Sequence, residues 1–157
     1  MINVGDKLPD VSFQQLSSDG MKNPTTADIF AGKKVVLFAV PGAFTPTCSE
    51  SHLPGYIALA DEIKAKGVDT IVCTSMNDAF VMSAWAETQN ADEISFLSDG
   101  GGAFHKALGL TMDTGDFGGV RSKRYAMIVD DGKVTVLNVE EGKSFEASKA
   151  ETILAAL

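Results

Sequence analysis

A chain of 157 residues with 45% apolar content can bury one sizeable core and is too short for two ordinary domains. Its formal net charge of −8, with 13 cationic residues scattered rather than striped, argues against a surface for nucleic acid or an anionic membrane. No apolar run reaches the roughly eighteen residues of a membrane span, and Met1 to Asp6 has neither the basic nor the apolar part of a signal peptide, so a cytoplasmic location is expected.

In chain order, Val11 to Gln15 alternates weakly, and Thr26 to Phe30 reads as a short helical turn before Gly32. The run Val35-Val36-Leu37-Phe38-Ala39-Val40 is continuously apolar between Lys33-Lys34 and Pro41-Gly42, the pattern of a buried parallel strand. Thr47-Cys48-Ser49-Glu50 then has capping-box spacing, which predicts Thr47 as N-cap and Cys48 as the first helical residue. That helix runs to about Ala65, with Leu53, Tyr56, Ile57, Ala60 and Ile63 on one face, a kink at Pro54-Gly55 and a stop at Gly67. Val68 to Cys73 is a second strand, Asn77-Asp78 caps a helix through Phe80, Val81, Trp85 and Ala86, and Ile94 to Leu97 is a third strand. A short helix over Ala103 to Leu108 leads into a Gly-rich loop. Tyr125 to Val129 and Val134 to Val139 flank Asp131-Gly132, a hairpin signal, and a last helix runs from Ser148 to Leu157. βαβ units followed by a hairpin and a helix predict one mixed sheet flanked by helices, a thioredoxin-like α/β fold over a single domain, residues 1–157.

The chemistry concentrates at Cys48. A strand-to-helix junction lies at the C-terminal edge of a parallel sheet, where unpaired backbone N–H groups and the positive dipole end favour a sulfur anion. Cys73 sits within an apolar strand and reads as a buried structural thiol, with a resolving role as the alternative. His52, four residues beyond Cys48, shares its helical face and makes a Cys/His ion pair conceivable beside the plainer reading of a hydrogen-bonded histidine. His105 has no partner in the sequence and reads as a surface residue, while Thr45 brings a hydroxyl to the helix entrance. Arg121, Lys123 and Arg124 read as a solvated strand end, without showing which points inward. Phe44, Phe80, Phe104 and Phe117 suit a pocket rim, a dimer surface or the core. The two cysteines form no Cys-x-x-Cys motif and no His/Cys cluster has metal-ligand spacing, so neither metal nor cofactor is expected.

The segment Pro41-Gly42-Ala43-Phe44-Thr45-Pro46-Thr47-Cys48-Ser49, followed by His52-Leu53-Pro54-Gly55, resembles the signature of peroxiredoxins of the peroxiredoxin 5 subfamily, which includes the plant type II enzymes. The likeness extends through Asn77-Asp78-Ala79-Phe80-Val81, Gly102-Ala103-Phe104, Arg124-Tyr125 and Leu137-Asn138-Val139-Glu140. It implies a thiol peroxidase in which Cys48 is the peroxidatic cysteine, Thr45 and Arg124 bind and polarise the peroxide, and Pro41 shields the thiolate from water. It also implies a thioredoxin fold and, as a rule, a homodimer, serving antioxidant defence. Animal members carry a resolving cysteine shortly before the last helix, where this chain reads Phe145-Glu146-Ala147-Ser148. Cys73 resembles instead the second cysteine of plant type II enzymes, some of which are one-cysteine enzymes, and leaves the reductant open between glutaredoxin/glutathione and thioredoxin.

The expected reaction is attack of the Cys48 thiolate on hydrogen peroxide or an alkyl hydroperoxide. Lowering a cysteine pKa from about 8.5 to about 6 raises the thiolate fraction roughly thirtyfold at neutral pH but weakens the nucleophile roughly tenfold. Acidity alone therefore gains little, and positioning of the peroxide with stabilisation of the leaving oxygen must supply the rest. Two other classes compete: a Cys/His acyl transferase built on Cys48 and His52, which lacks an orienting third residue, and a non-enzymatic interaction or holdase module.

Overall fold

The computed structural model describes residues 1–157. A small antiparallel hairpin opens the chain, β1 (Gln15–Ser17) with β2 (Gly20–Lys22), and the predicted turn forms α1 (Thr26–Phe30), closed by a capping box between Thr25 and Asp28. Then follow β3 (Lys34–Ala39), the helix containing Cys48 with its regular part α2 (Leu53–Ala65), β4 (Thr70–Ser75), α3 (Ala79–Thr88) and β5 (Ser95–Ser98). The remainder is α4 (Ala103–Leu108), β6 (Thr111–Asp113), β7 (Val120–Ser122), β8 (Tyr125–Asp130), β9 (Lys133–Val139) and α5 (Ala150–Ala156). The Gly-rich loop after α4 thus contains a hairpin of its own, β6 against β7, around a single 3₁₀ turn.

The main sheet has the order β5-β4-β3-β8-β9, with β3, β4 and β5 parallel and β8 and β9 antiparallel. Both steps from β3 to β4 to β5 move the same way across the sheet, so two right-handed crossovers put α2 and α3 on the same face. There α5 joins them over a core containing Val36, Phe38, Tyr56, Ile63, Trp85 and Ile153. The other face carries α1 and α4 over Phe13, Phe30, Val35, Leu37, Phe104 and Met127. Alternate residues of β3 enter opposite cores, which is why its sequence shows no polar residue after Lys34. Asp131 and Gly132 form the two-residue turn between β8 and β9 with φ of 49° and 78°, a conformation that favours Gly and Asp.

Register delivers the site. Ala39, the last residue of β3, pairs with Tyr125, the first of β8, and Tyr125 pairs in turn with Val139. Residues just outside those pairs therefore meet at one edge: Pro41 after β3, Arg124 before β8 and Glu140 after β9, whose N–H donates to the Arg124 carbonyl at 2.9 Å.

Candidate active site

The helix bearing Cys48 starts earlier than its capping-box spacing predicts. Helical backbone begins at Pro46, and the Ser49 N–H donates to the Thr45 carbonyl at 2.9 Å, which makes Thr45 the residue before the first turn. Thr47 has helical φ and ψ of −61° and −39° and makes no side-chain cap. Proline at the first helical position explains the shift, since its missing N–H is one the first turn leaves unpaired anyway. Cys48 is consequently the third helical residue. From Cys48 to His52 the helix widens into a π turn, with the Leu53 N–H donating to the Cys48 carbonyl. Pro54 follows directly, so the expected kink takes the form of a widened turn, which accommodates a proline inside a helix.

Cys48 is fully buried. The Arg124 Nη2 donates to its Sγ at 3.0 Å, and the Nη1 of the same guanidinium donates to His52 Nδ1 at 2.9 Å. With Nδ1 accepting, the other ring nitrogen, Nε2, is the donor, and it donates to the Ser148 carbonyl at 3.2 Å. Burial, with the Arg124 charge second, pushes His52 down to about 3, so the ring is neutral over the physiological range. The ring packs against Phe38, Tyr56 and Phe145, and the Arg124 guanidinium lies 5.9 Å from the Phe145 ring centre.

The Ser148 carbonyl also accepts from the Tyr56 hydroxyl at 2.7 Å. Ser148 is itself held by Glu140, whose carboxylate accepts from the Ser148 N–H at 2.8 Å and hydroxyl at 2.6 Å and from the Ala147 N–H at 3.1 Å. Burial works to raise the Glu140 carboxyl, and these hydrogen bonds outweigh it, leaving it below its usual value. A chain of contacts thus runs from Glu140 through Ser148, His52 and Arg124 to the sulfur. His52 does not pair with Cys48: both of its ring nitrogens are engaged elsewhere, which removes it as the base of a Cys/His acyl transferase.

Of the other expected site residues, Pro41 is half-buried and, with Thr47 and Arg124, lines a cleft at this edge of the sheet. The Thr45 hydroxyl donates to the Gly42 carbonyl at 2.7 Å, which leaves its lone pairs free to accept a hydrogen bond from a bound molecule. The loop between them is pinned by Asn77, whose Oδ1 accepts the Ala43 N–H at 2.9 Å, and by Ser122, whose hydroxyl donates to the Val40 carbonyl at 2.9 Å. Phe44 holds φ of 64°, uncommon for a residue with a side chain. Behind the helix, the Trp85 indole N–H donates to the Ser49 hydroxyl at 3.0 Å.

Cys73 lies in the middle of β4, paired with Phe38 on one side and Phe96 on the other, fully buried in the same core as Cys48. Burial pushes its thiol well above the usual value. Phe104 is core, whereas Phe44, Phe80 and Phe117 are exposed. His105 is not a surface residue. It is fully buried, with Nδ1 2.8 Å from Asp99 Oδ2 and Nε2 2.9 Å from the Tyr125 hydroxyl, beneath the opposite face of the sheet. Its partners are the carboxylate six positions earlier and a tyrosine twenty positions later, so no local spacing announces it.

A buried cysteine in the first turn of a helix, under a guanidinium and at the end of a central strand, defines a thiol-based oxidoreductase on a thioredoxin-like scaffold. Comparison with known proteins sharpens the class. The Redoxin family profile matches residues 3–154. Peroxiredoxin-2D of Arabidopsis thaliana is 51% identical over 160 residues, covering 99% of this chain and 98% of its own. Reduced Prx3 from Vibrio vulnificus, solved in complex with H2O2, is 65% identical, covers 99% of each chain and superposes with a TM-score of 0.98. Peroxiredoxin 5 from Alvinella pompejana is 36% identical, covers 99% of this chain and 97% of its own, and gives a TM-score of 0.86. The chain belongs to the peroxiredoxins, in the group of plant type II and peroxiredoxin 5 enzymes, and is a thiol-dependent peroxidase.

Proposed function

We propose that Cys48 is the peroxidatic residue and that its substrates are hydrogen peroxide and alkyl hydroperoxides, within a single functional domain. The observation that carries this reading is the Arg124 guanidinium on Cys48 Sγ at 3.0 Å in a fully buried setting. The thiolate attacks the terminal peroxide oxygen: an S–O bond forms as the O–O bond breaks, sulfur loses two electrons, and the departing oxygen leaves as hydroxide or alkoxide and takes a proton. Arg124 stays beside the developing charge, the Thr45 hydroxyl accepts a hydrogen bond from the peroxide O–H, the Cys48 backbone N–H is a further candidate donor to the departing oxygen, and Pro41 covers the sulfur.

Cys73 is poorly placed to resolve the sulfenic acid. Its thiol is protonated and buried in the sheet, and Cys48 is anchored in the first turn of its helix, so a bridge between them is proposed to unwind that turn. An external thiol therefore reduces Cys48, through glutaredoxin/glutathione or thioredoxin: the first thiol forms a mixed disulfide and releases water, the second restores Cys48. Two unpaired cysteines suit a reducing compartment such as the cytoplasm. A homodimer is proposed through the exposed Phe44, which lies in the loop from Pro41 to Thr45, and the exposed Phe80 and Phe117 on elements tied to that loop. Phe80 follows Asn77, which holds Ala43, and Phe117 underlies Arg121, which packs against Gly42.

The test is intact mass after one equivalent of hydrogen peroxide, on wild type, Cys48→Ser and Cys73→Ser. One added oxygen in wild type and Cys73→Ser, absent in Cys48→Ser, supports the proposal. A two-hydrogen loss in wild type that vanishes in Cys73→Ser would make Cys73 the resolving residue.

A further inference from the structure

The cleft beside Arg124 is much larger than hydrogen peroxide needs. Its volume is about 710 Å³, within the roughly 300–1,000 Å³ typical of sites for drug-sized molecules. Its apolar wall includes Met112 of β6 and Val139 of β9, and three cations line it: Lys123, Arg124 and Lys143. The two lysine side chains make no ion pair, although the chain carries 21 acidic residues, and its lysine ion pairs are those of Lys64 and Lys149. Of the two acidic residues on the cleft, Glu140 is already occupied by Ser148 and Ala147, leaving Glu141 as the one free carboxylate. The mouth of the site therefore has a positive balance on a chain of net charge −8.

We propose that this cleft binds an organic anion, a carboxylate-bearing molecule with an apolar portion, and presents its reactive end to Cys48. The carboxylate pairs with Lys123 and Lys143, the apolar portion lies on Met112 and Val139, and the far end reaches Arg124, which both lines the cleft and touches the sulfur. The inference rests on the peroxidase reading, and two reactants have this chemistry: an anionic hydroperoxide in the oxidising step, or an anionic thiol in the reducing step.

The experiment has an arm for each. Reduced protein is mixed by stopped flow with linoleic acid hydroperoxide and with its methyl ester. Protein carrying the Cys48 sulfenic acid is mixed with glutathione and with its diethyl ester. Wild type, Lys123→Gln/Lys143→Gln and Lys123→Arg/Lys143→Arg are compared at low and high salt. In at least one arm the anion reacts roughly tenfold faster than the ester at low ionic strength, and the ratio collapses at about 0.5 M salt and in the glutamine variant while the arginine variant keeps it. The arm that shows the preference identifies the reactant. A ratio of one in both arms for wild type, or a ratio unchanged by the glutamine substitutions, overturns the proposal. Failure of hydrogen peroxide itself to oxidise Cys48 is a separate result and overturns the peroxidase assignment instead.

Discussion

Arg124 and His52 form the contact on which the site turns: a guanidinium N–H donates at 2.9 Å to the Nδ1 of a neutral, buried imidazole. Cys48 and His52 are one helical turn apart, yet the arginine stands between them. The histidine acts on the sulfur only through Arg124, as a positioning residue.

That arrangement predicts an order among His52 variants. The carboxamide oxygen of asparagine falls near the place of Nδ1 and accepts from Arg124, whereas the carboxamide nitrogen of glutamine falls near Nε2 and donates to Ser148. Asparagine is expected to keep peroxide oxidation within about fivefold of wild type, and leucine to slow it by about 10- to 100-fold, which corresponds to one or two hydrogen-bond contributions. Glutamine falls between. Stopped-flow rate constants check the order, and equal loss in asparagine and leucine would contradict the role given to Nδ1.

The same histidine makes the fold sensitive to acid. Unfolded, His52 takes a proton near its ordinary value of 6.5; folded, only near 3. Between those values the unfolded chain binds more protons, so stability falls with falling pH, by up to roughly 4 kcal/mol across the window. Glu140, held below its ordinary 4.5, adds to the loss in the same direction as pH drops through its folded value. Urea midpoints from pH 7.5 to 4 are expected to fall more steeply in wild type than in His52→Leu, and parallel profiles would contradict the burial of a neutral His52.

On the opposite face, Asp99, His105 and Tyr125 form a buried polar set in which each side chain depends on the next. His105→Leu leaves the Asp99 carboxylate without its side-chain partner and is expected to cost about 3–5 kcal/mol, whereas Tyr125→Phe removes a single hydroxyl and costs about 1–3 kcal/mol. Denaturant unfolding measures both. A cost below about 1 kcal/mol for His105→Leu would show that Asp99 is satisfied by the backbone N–H groups of Phe104 and His105 alone.

Trp85, the chain's one tryptophan, donates to Ser49, next to Cys48. Any unwinding of the first helical turn breaks that bond, so indole fluorescence reports it. Oxidation of Cys48 to a sulfenic acid with the turn intact predicts a small change, and a disulfide with Cys73 a large one. A large change in Cys73→Ser would mean that the turn opens without a disulfide.

The order of elements was legible because β3 is buried on both faces and the β8–β9 turn needs two left-handed residues, constraints written in consecutive residues. The helix start was not, since Thr47 and Glu50 have capping spacing by coincidence while Pro46 fixes the first turn. Cys48 could be read from its junction. The link to Glu140 could not, because sheet register joins Arg124 to Glu140 while packing of the helix and of the segment before α5 brings residues 48, 52 and 148 against them, and no spacing encodes it. His52 on the Cys48 face was the nearest signal: of its two readings the hydrogen-bonded histidine holds and the Cys/His pair does not, but the sequence did not name its partners.

The central claim is that Arg124 acts on the reaction itself and not only on the population of thiolate. The most direct test is the rate constant for oxidation by hydrogen peroxide in wild type and Arg124→Ala, followed to pH values where any accessible cysteine is ionised. The account predicts a loss of about 100-fold or more, worth about 2.7 kcal/mol, that persists at high pH. Recovery of the wild-type rate constant at high pH would contradict it and reduce Arg124 to a counter-ion.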